Sequence, residues 1–113
     1  MPLTYTEYLD PSAFLAAARE TLEREEAANN LMLGIGLRLV DQPEYCGSRP
    51  YLATVAAEGA LRAVAVMTPP YRLQIWTREE PDLAAVDLVK EEADQRQRDM
   101  EAAAWLAQQR RSK

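Results

Sequence analysis

Apolar residues fall along the chain with two different periods, and the change from one to the other marks out its elements. Phe14, Ala18 and Leu22 recur every four residues while Arg19, Glu20, Glu23 and Arg24 take other positions. That spacing predicts an amphipathic helix from Ser12 to about Ala27 with one buried stripe. Asp10-Pro11 opens it, since aspartate accepts from the first free N–H groups and proline suits the first helical position. Tyr5 to Leu9, before it, reads as a short strand. Asn29-Asn30 interrupts the pattern, and Leu31 to Val40 is then apolar on nearly every face, as in a second, more deeply enclosed helix. Gly34 and Gly36 each cost that helix roughly 1 kcal/mol relative to alanine, which predicts a backbone or strand packed closely against them.

After a polar loop from Asp41 to Pro50, the period shortens to that of strands. Tyr51 to Ala57 and Ala60 to Thr68 flank Glu58-Gly59, a tight hairpin turn. Leu52, Val55, Leu61, Val64, Val66 and Met67 fall on both faces, so the sheet is expected to be covered on both sides. Thr68-Pro69-Pro70-Tyr71 ends the second strand by removing two ladder donors, and Arg72 to Thr77 forms a third. From Asp82 to Gln109 there is neither glycine nor proline, which predicts a long helix. Val86, Ala93, Met100 and Ala107 place a stripe along it every seven residues, whereas Arg96 or Gln97 breaks the other seam of a coiled coil. Packing on the domain or on a second subunit is therefore favoured over a coiled coil. The expected fold is α+β within a single domain: a half-domain over residues 1–81 and a C-terminal helix over 82–113.

Composition narrows the chemistry. The chain has 113 residues, a net charge of −5, one cysteine and no histidine. An acidic surface repels phosphate backbones, so nucleic acid is not an expected partner. Without histidine there is no histidine-based triad or general base, and most transition-metal sites are excluded. Cys46 forms no internal disulfide, and the first residues carry neither the basic nor the apolar part of a secretion signal. No apolar run approaches the roughly 18 residues needed to cross a bilayer. A cytoplasmic protein without a membrane span is expected.

Few residues stand out as reactive. Cys46 has only Arg49 nearby in sequence to lower its pKa and reads as a passive loop thiol. Glu23, Glu25 and Glu26 offer a general base in principle, but beside Arg24 they fit a solvated helix face. Thr68 and Tyr71 frame a rigid turn that either ends the strand or walls a pocket. Trp76 and Trp105 read as core or interface anchors, and Trp105-Leu106 marks residues 100–107 as a contact surface.

One resemblance adds to this reading. Phe14-Leu15, the run from Glu25 to Gly34, Tyr51-Leu52-Ala53 and Met67-Thr68-Pro69-Pro70-Tyr71 together resemble the N-terminal region of a bacterial subgroup of GNAT-superfamily N-acetyltransferases. The likeness covers residues 12–77 and stops by about Lys90. The resemblance implies two early helices before an antiparallel sheet, with the acetyl-CoA-binding half lying further downstream than this chain extends. That half carries a glycine-rich loop whose bare N–H groups hold the pyrophosphate; after Gly59 this chain has no glycine. Gly34-Ile35-Gly36 is a helix-packing feature rather than a phosphate loop.

The expected function is accordingly that of a noncatalytic GNAT-like half-domain that binds no cofactor and acts by association, as a homodimer or with another protein. Two alternatives stay open. One is a part of an N-acetyltransferase whose acetyl-CoA site is completed by another chain or subunit. The other is a small-ligand module using the cleft between the first two helices and the sheet. The sequence is equally compatible with a natural short protein and with the product of a shortened gene.

Overall fold

The computed structural model describes residues 2–24, 26–42, 50–68, 72–79 and 82–111. Among these residues seven elements follow in order: β1 (Thr4–Glu7), α1 (Pro11–Arg24), α2 (Glu26–Asp41), β2 (Tyr51–Ala57), β3 (Ala60–Met67), β4 (Gln74–Thr77) and α3 (Leu83–Arg111). The fold is α+β. The strands form one antiparallel sheet in the order β1-β2-β3-β4, and helices lie on both of its faces.

Alternation along the strands produces the two layers. Leu52, Val64, Val66 and Trp76 face α1 and α2, where they bury Phe14, Leu15, Ala18, Leu22, Met32, Leu33 and Leu39. Tyr51, Ala53, Val55, Ala63 and Ala65 face α3 and meet Ala85, Val89 and Ala93. The first layer interlocks large side chains. The second sets alanine against alanine, so α3 lies close to the sheet although its sequence is polar.

The β2–β3 turn places both Glu58 and Gly59 at positive φ, 53° and 78°, as a two-residue turn matching the strand twist requires. A bulge follows: Val55 pairs with Ala63 and Ala56 with Leu61, so Arg62 is the extra residue. It shifts the alternation, with Leu61 on the α1–α2 side and Ala63 on the α3 side.

Several sequence expectations are corrected. Strand β1 runs Thr4–Glu7 rather than to Leu9, and β4 begins at Gln74 rather than Arg72. The first helix ends at Arg24, and Ala27 belongs to the second. Asn29-Asn30 does not interrupt α2. Asn29 is buried, and its side-chain amide donates to the Leu22 carbonyl in the last turn of α1 at 3.5 Å. It thus serves one of the carbonyls that a helix end leaves unsatisfied, a tertiary role that outweighs its weak helix propensity.

Nor is α2 enclosed on several sides. One face is buried, while Leu31, Leu37 and Val40 are exposed. Of its two glycines, only Gly36 is crowded: a Cβ there would stand 2.9 Å from Leu15 Cδ2. The crowding comes from α1 side chains, not from a backbone or strand. Nothing lies within 4 Å of a Cβ built on Gly34, so no close neighbour accounts for that glycine.

Helix α3 starts beside β4, crosses β3 and β2, and reaches Glu7 at the end of β1. It then continues past the sheet. Every residue from 101 to 111 is exposed. The radius of gyration, 15.2 Å, exceeds the roughly 13 Å expected of a compact chain of this length. The projecting end of α3 accounts for a long axis of 53 Å.

Candidate functional site

Two anchors fix where α3 lies, and both involve an arginine. At its start Asp82 is the N-cap, and its Oδ1 accepts from the Ala85 amide at 3.2 Å. The same carboxylate takes a two-pronged contact from Arg62, Nη2 to Oδ1 at 2.7 Å and Nε to Oδ2 at 2.8 Å. That contact holds the Asp82 carboxyl below the usual range and raises the Arg62 guanidinium above its own. The bulge that makes Arg62 the extra residue of β3 thereby ties the sheet to the helix start.

The second anchor is Arg96, only 8% exposed. Its Nε donates to Glu7 Oε2 at 3.2 Å and its Nη2 to the Pro50 carbonyl at 2.8 Å. The guanidinium also lies over the Tyr51 ring, 5.6 Å from its centre. Beneath it the Tyr5 and Tyr51 hydroxyls are hydrogen-bonded at 2.8 Å. Burial pushes both phenols above their ordinary pKa, with the neighbouring hydroxyl adding to the rise at Tyr51 and partly offsetting it at Tyr5. This cluster holds the middle of α3 on the sheet.

Beyond it the helix continues because its sequence favours it: Met100 to Arg111 contains neither glycine nor proline. Arg110 and Arg111 close the last turn, where cations oppose the helix dipole. Side-chain pairs four residues apart, Gln95 with Asp99 and Gln97 with Glu101, brace its base. Trp105 and Leu106 stand on this segment, 61% and 51% exposed.

The four residues singled out from sequence do not form one site. Thr68 is buried just beyond β3, which fits a strand terminator. Tyr71 lies outside the described residues, as do Cys46, Pro69 and Pro70. Trp105 and Leu106 stay together and stand apart from Thr68 in the exposed end of α3. Among the described residues, the larger core layer packs between the first two helices and the sheet. Depressions on the surface lie, among the described residues, over α2 beside Leu31 and Arg38, between α3 and Glu7, and between β4 and the start of α3. Among the described residues there is no cluster of potential metal ligands, and no helix is long and apolar enough to cross a membrane.

Comparison with protein-family models, with curated proteins and with solved structures returns no match.

Reading Arg96 or Gln97 only as a break in a coiled-coil seam missed that Arg96 is buried against its own sheet. In the structure Ala85, Val89, Ala93 and Arg96 are the buried residues of α3, and their 4-4-3 spacing continues one stripe. The signal was that spacing, which puts Arg96 on the covered face together with an acidic residue at the end of β1.

Proposed function

We propose that this chain is a noncatalytic α+β unit, similar to the first half of a GNAT acetyltransferase, that works by associating with a second copy of itself or with another protein. The observation that carries this reading is the end of α3. It holds a tryptophan and a leucine in water on a helical segment that no part of the described domain covers. Large apolar side chains gathered in this way on a protein surface mark contact sites. A solitary helix of about three turns is also marginal in water, so a partner that buries one side of it would stabilise it.

The resemblance to the acetyltransferase region supports the noncatalytic part of the reading, since it covers no acetyl-CoA loop. Sedimentation equilibrium tests association directly. The full chain is expected to dimerise in a concentration-dependent manner, and removal of residues 98–113 to shift it toward monomer. Titration calorimetry tests the rest: saturable acetyl-CoA binding at low micromolar ligand would overturn the noncatalytic assignment.

A further inference from the structure

We infer that two copies of this chain associate by antiparallel pairing of the segments 98–111 of α3, about a two-fold axis level with Ala104 and Trp105. The inference rests on the self-association reading above and names the surface responsible. Its first support is direction. Successive helix residues turn by about 100°, so the side buried at Ala85, Val89, Ala93 and Arg96 continues through Met100, Ala103 and Ala107. Ala102 and Trp105 lie on roughly the opposite side, with Leu106 at its edge and Arg98 and Gln109 on it toward the two ends of the segment. The apolar face therefore points away from its own domain, which cannot cover it, and a second helix can approach without meeting that domain.

The second support is charge. Asp99 and Arg110 stand on one flank of this face, near opposite ends of the segment, and Glu101 and Gln108 stand on the other. A two-fold axis perpendicular to both helices keeps each flank beside its own copy. Asp99 then meets Arg110 of the second copy, twice per dimer, and Glu101 meets Gln108 of the second copy. Parallel pairing exchanges the flanks and would set Asp99 against Glu101 of the second copy, acid facing acid. The paired segment of about 20 Å begins just past Arg96, so the two domains sit at opposite ends. A contact of this size lies at the low end of specific interfaces, and a micromolar rather than nanomolar dimer is expected.

Sedimentation equilibrium on the full-length chain and its variants decides the matter, with circular dichroism confirming that each variant is folded. Trp105→Glu is expected to abolish dimerisation. Asp99→Arg and Arg110→Asp should each weaken it by roughly tenfold or more through like-charge contacts, and the double variant D99R/R110D should restore it. Single variants that weaken the dimer without rescue in the double would overturn the antiparallel register. A dimer that survives Trp105→Glu but is lost in Leu31→Glu would place the interface on α2, overturning the tail pairing and leaving the self-association reading intact. A full chain that is monomeric at every concentration would overturn both.

Discussion

At the scale of single residues, the fold depends on two charged contacts that hold a polar helix against an alanine-lined sheet. Truncation of Arg96 leaves the Glu7 carboxylate and the Pro50 carbonyl without its donors and uncovers the Tyr51 ring. Since Glu7 stays partly hydrated, 25% exposed at its side chain, the cost falls below that of breaking a fully buried pair. Arg96→Ala is expected to destabilise by about 2 kcal/mol. Glu7→Gln should cost less, because the arginine keeps its carbonyl and ring contacts; urea denaturation of the two variants checks the order. The ionisable groups set two pH windows. Asp82 has a lowered pKa in the folded chain, so its contribution is present above the unfolded value near 4 and disappears as pH falls below it. Tyr5 and Tyr51 have raised values, so theirs is present below about pH 10 and is lost as pH rises beyond it. Asp82→Asn should flatten the acid limb of a melting-temperature profile and leave the alkaline limb unchanged; an unaltered acid limb would show that Asp82 does not govern it.

At the scale of elements, the two glycines of α2 give opposite expectations from the same substitution. Alanine at Gly34 meets nothing and relieves the helix of a flexible residue, so Gly34→Ala should stabilise by about 0.5–1 kcal/mol. At Gly36 the added methyl presses on Leu15, which is packed in the core with Phe14, and the displacement cancels or reverses the gain. Thermal melts that rise for both variants would show that Leu15 yields freely. In the sheet, Val64 is wholly buried in the larger layer. Val64→Asp should lose several kcal/mol by burying an unpaired charge, against a nearly silent Glu23→Ala on the exposed face of α1. The elements themselves were legible in the sequence because period, caps and turn chemistry agree: the Phe14, Ala18 and Leu22 stripe, Asp10 before Pro11, and Glu58-Gly59 between apolar runs. What escaped it depended on partners distant along the chain. Asn29 reads locally as a helix breaker and becomes a cap only because the end of α1 is folded beside it. Arg96 reads as a seam breaker until Glu7 and Pro50 meet it. The exposure of Leu31 and Leu37 was hidden because apolar content indicates what a helix tolerates, not how many neighbours it has. Of the candidate site, Trp105-Leu106 was visible as an apolar pair in a polar helix, while the direction it faces required the buried stripe of α3 to be known.

At the scale of the whole molecule, α3 does two things, and they divide close to Met100. Up to that point it is a structural layer: Ala85, Val89, Ala93 and Arg96 cover Tyr51, Ala53, Val55, Ala63 and Ala65 on the second face of the sheet. Past it, residues 101–111 are exposed throughout and contribute little to the monomer. Shortening the chain from its C-terminus should therefore have a sharply position-dependent effect. A chain ending at Met100 keeps both arginine anchors and the whole alanine-lined contact, and its stability measured at low protein concentration should stay within about 1 kcal/mol of the full chain, the scale of surface changes that touch no buried contact. A chain ending at Lys90 loses Ala93 and Arg96 together, leaves the Tyr5 and Tyr51 hydroxyl pair uncovered and opens the second face of the sheet to water. With a marginal balance to begin with, it should not fold cooperatively. Hydrogen exchange offers the same division without truncation: in dilute solution amides past Met100 should exchange orders of magnitude faster than those between Ala85 and Arg96, and raising the concentration should slow only the former. Equal protection along the whole of α3 in dilute solution would mean that its end is held by the domain after all, and the separation of a structural half from an associating half would fail.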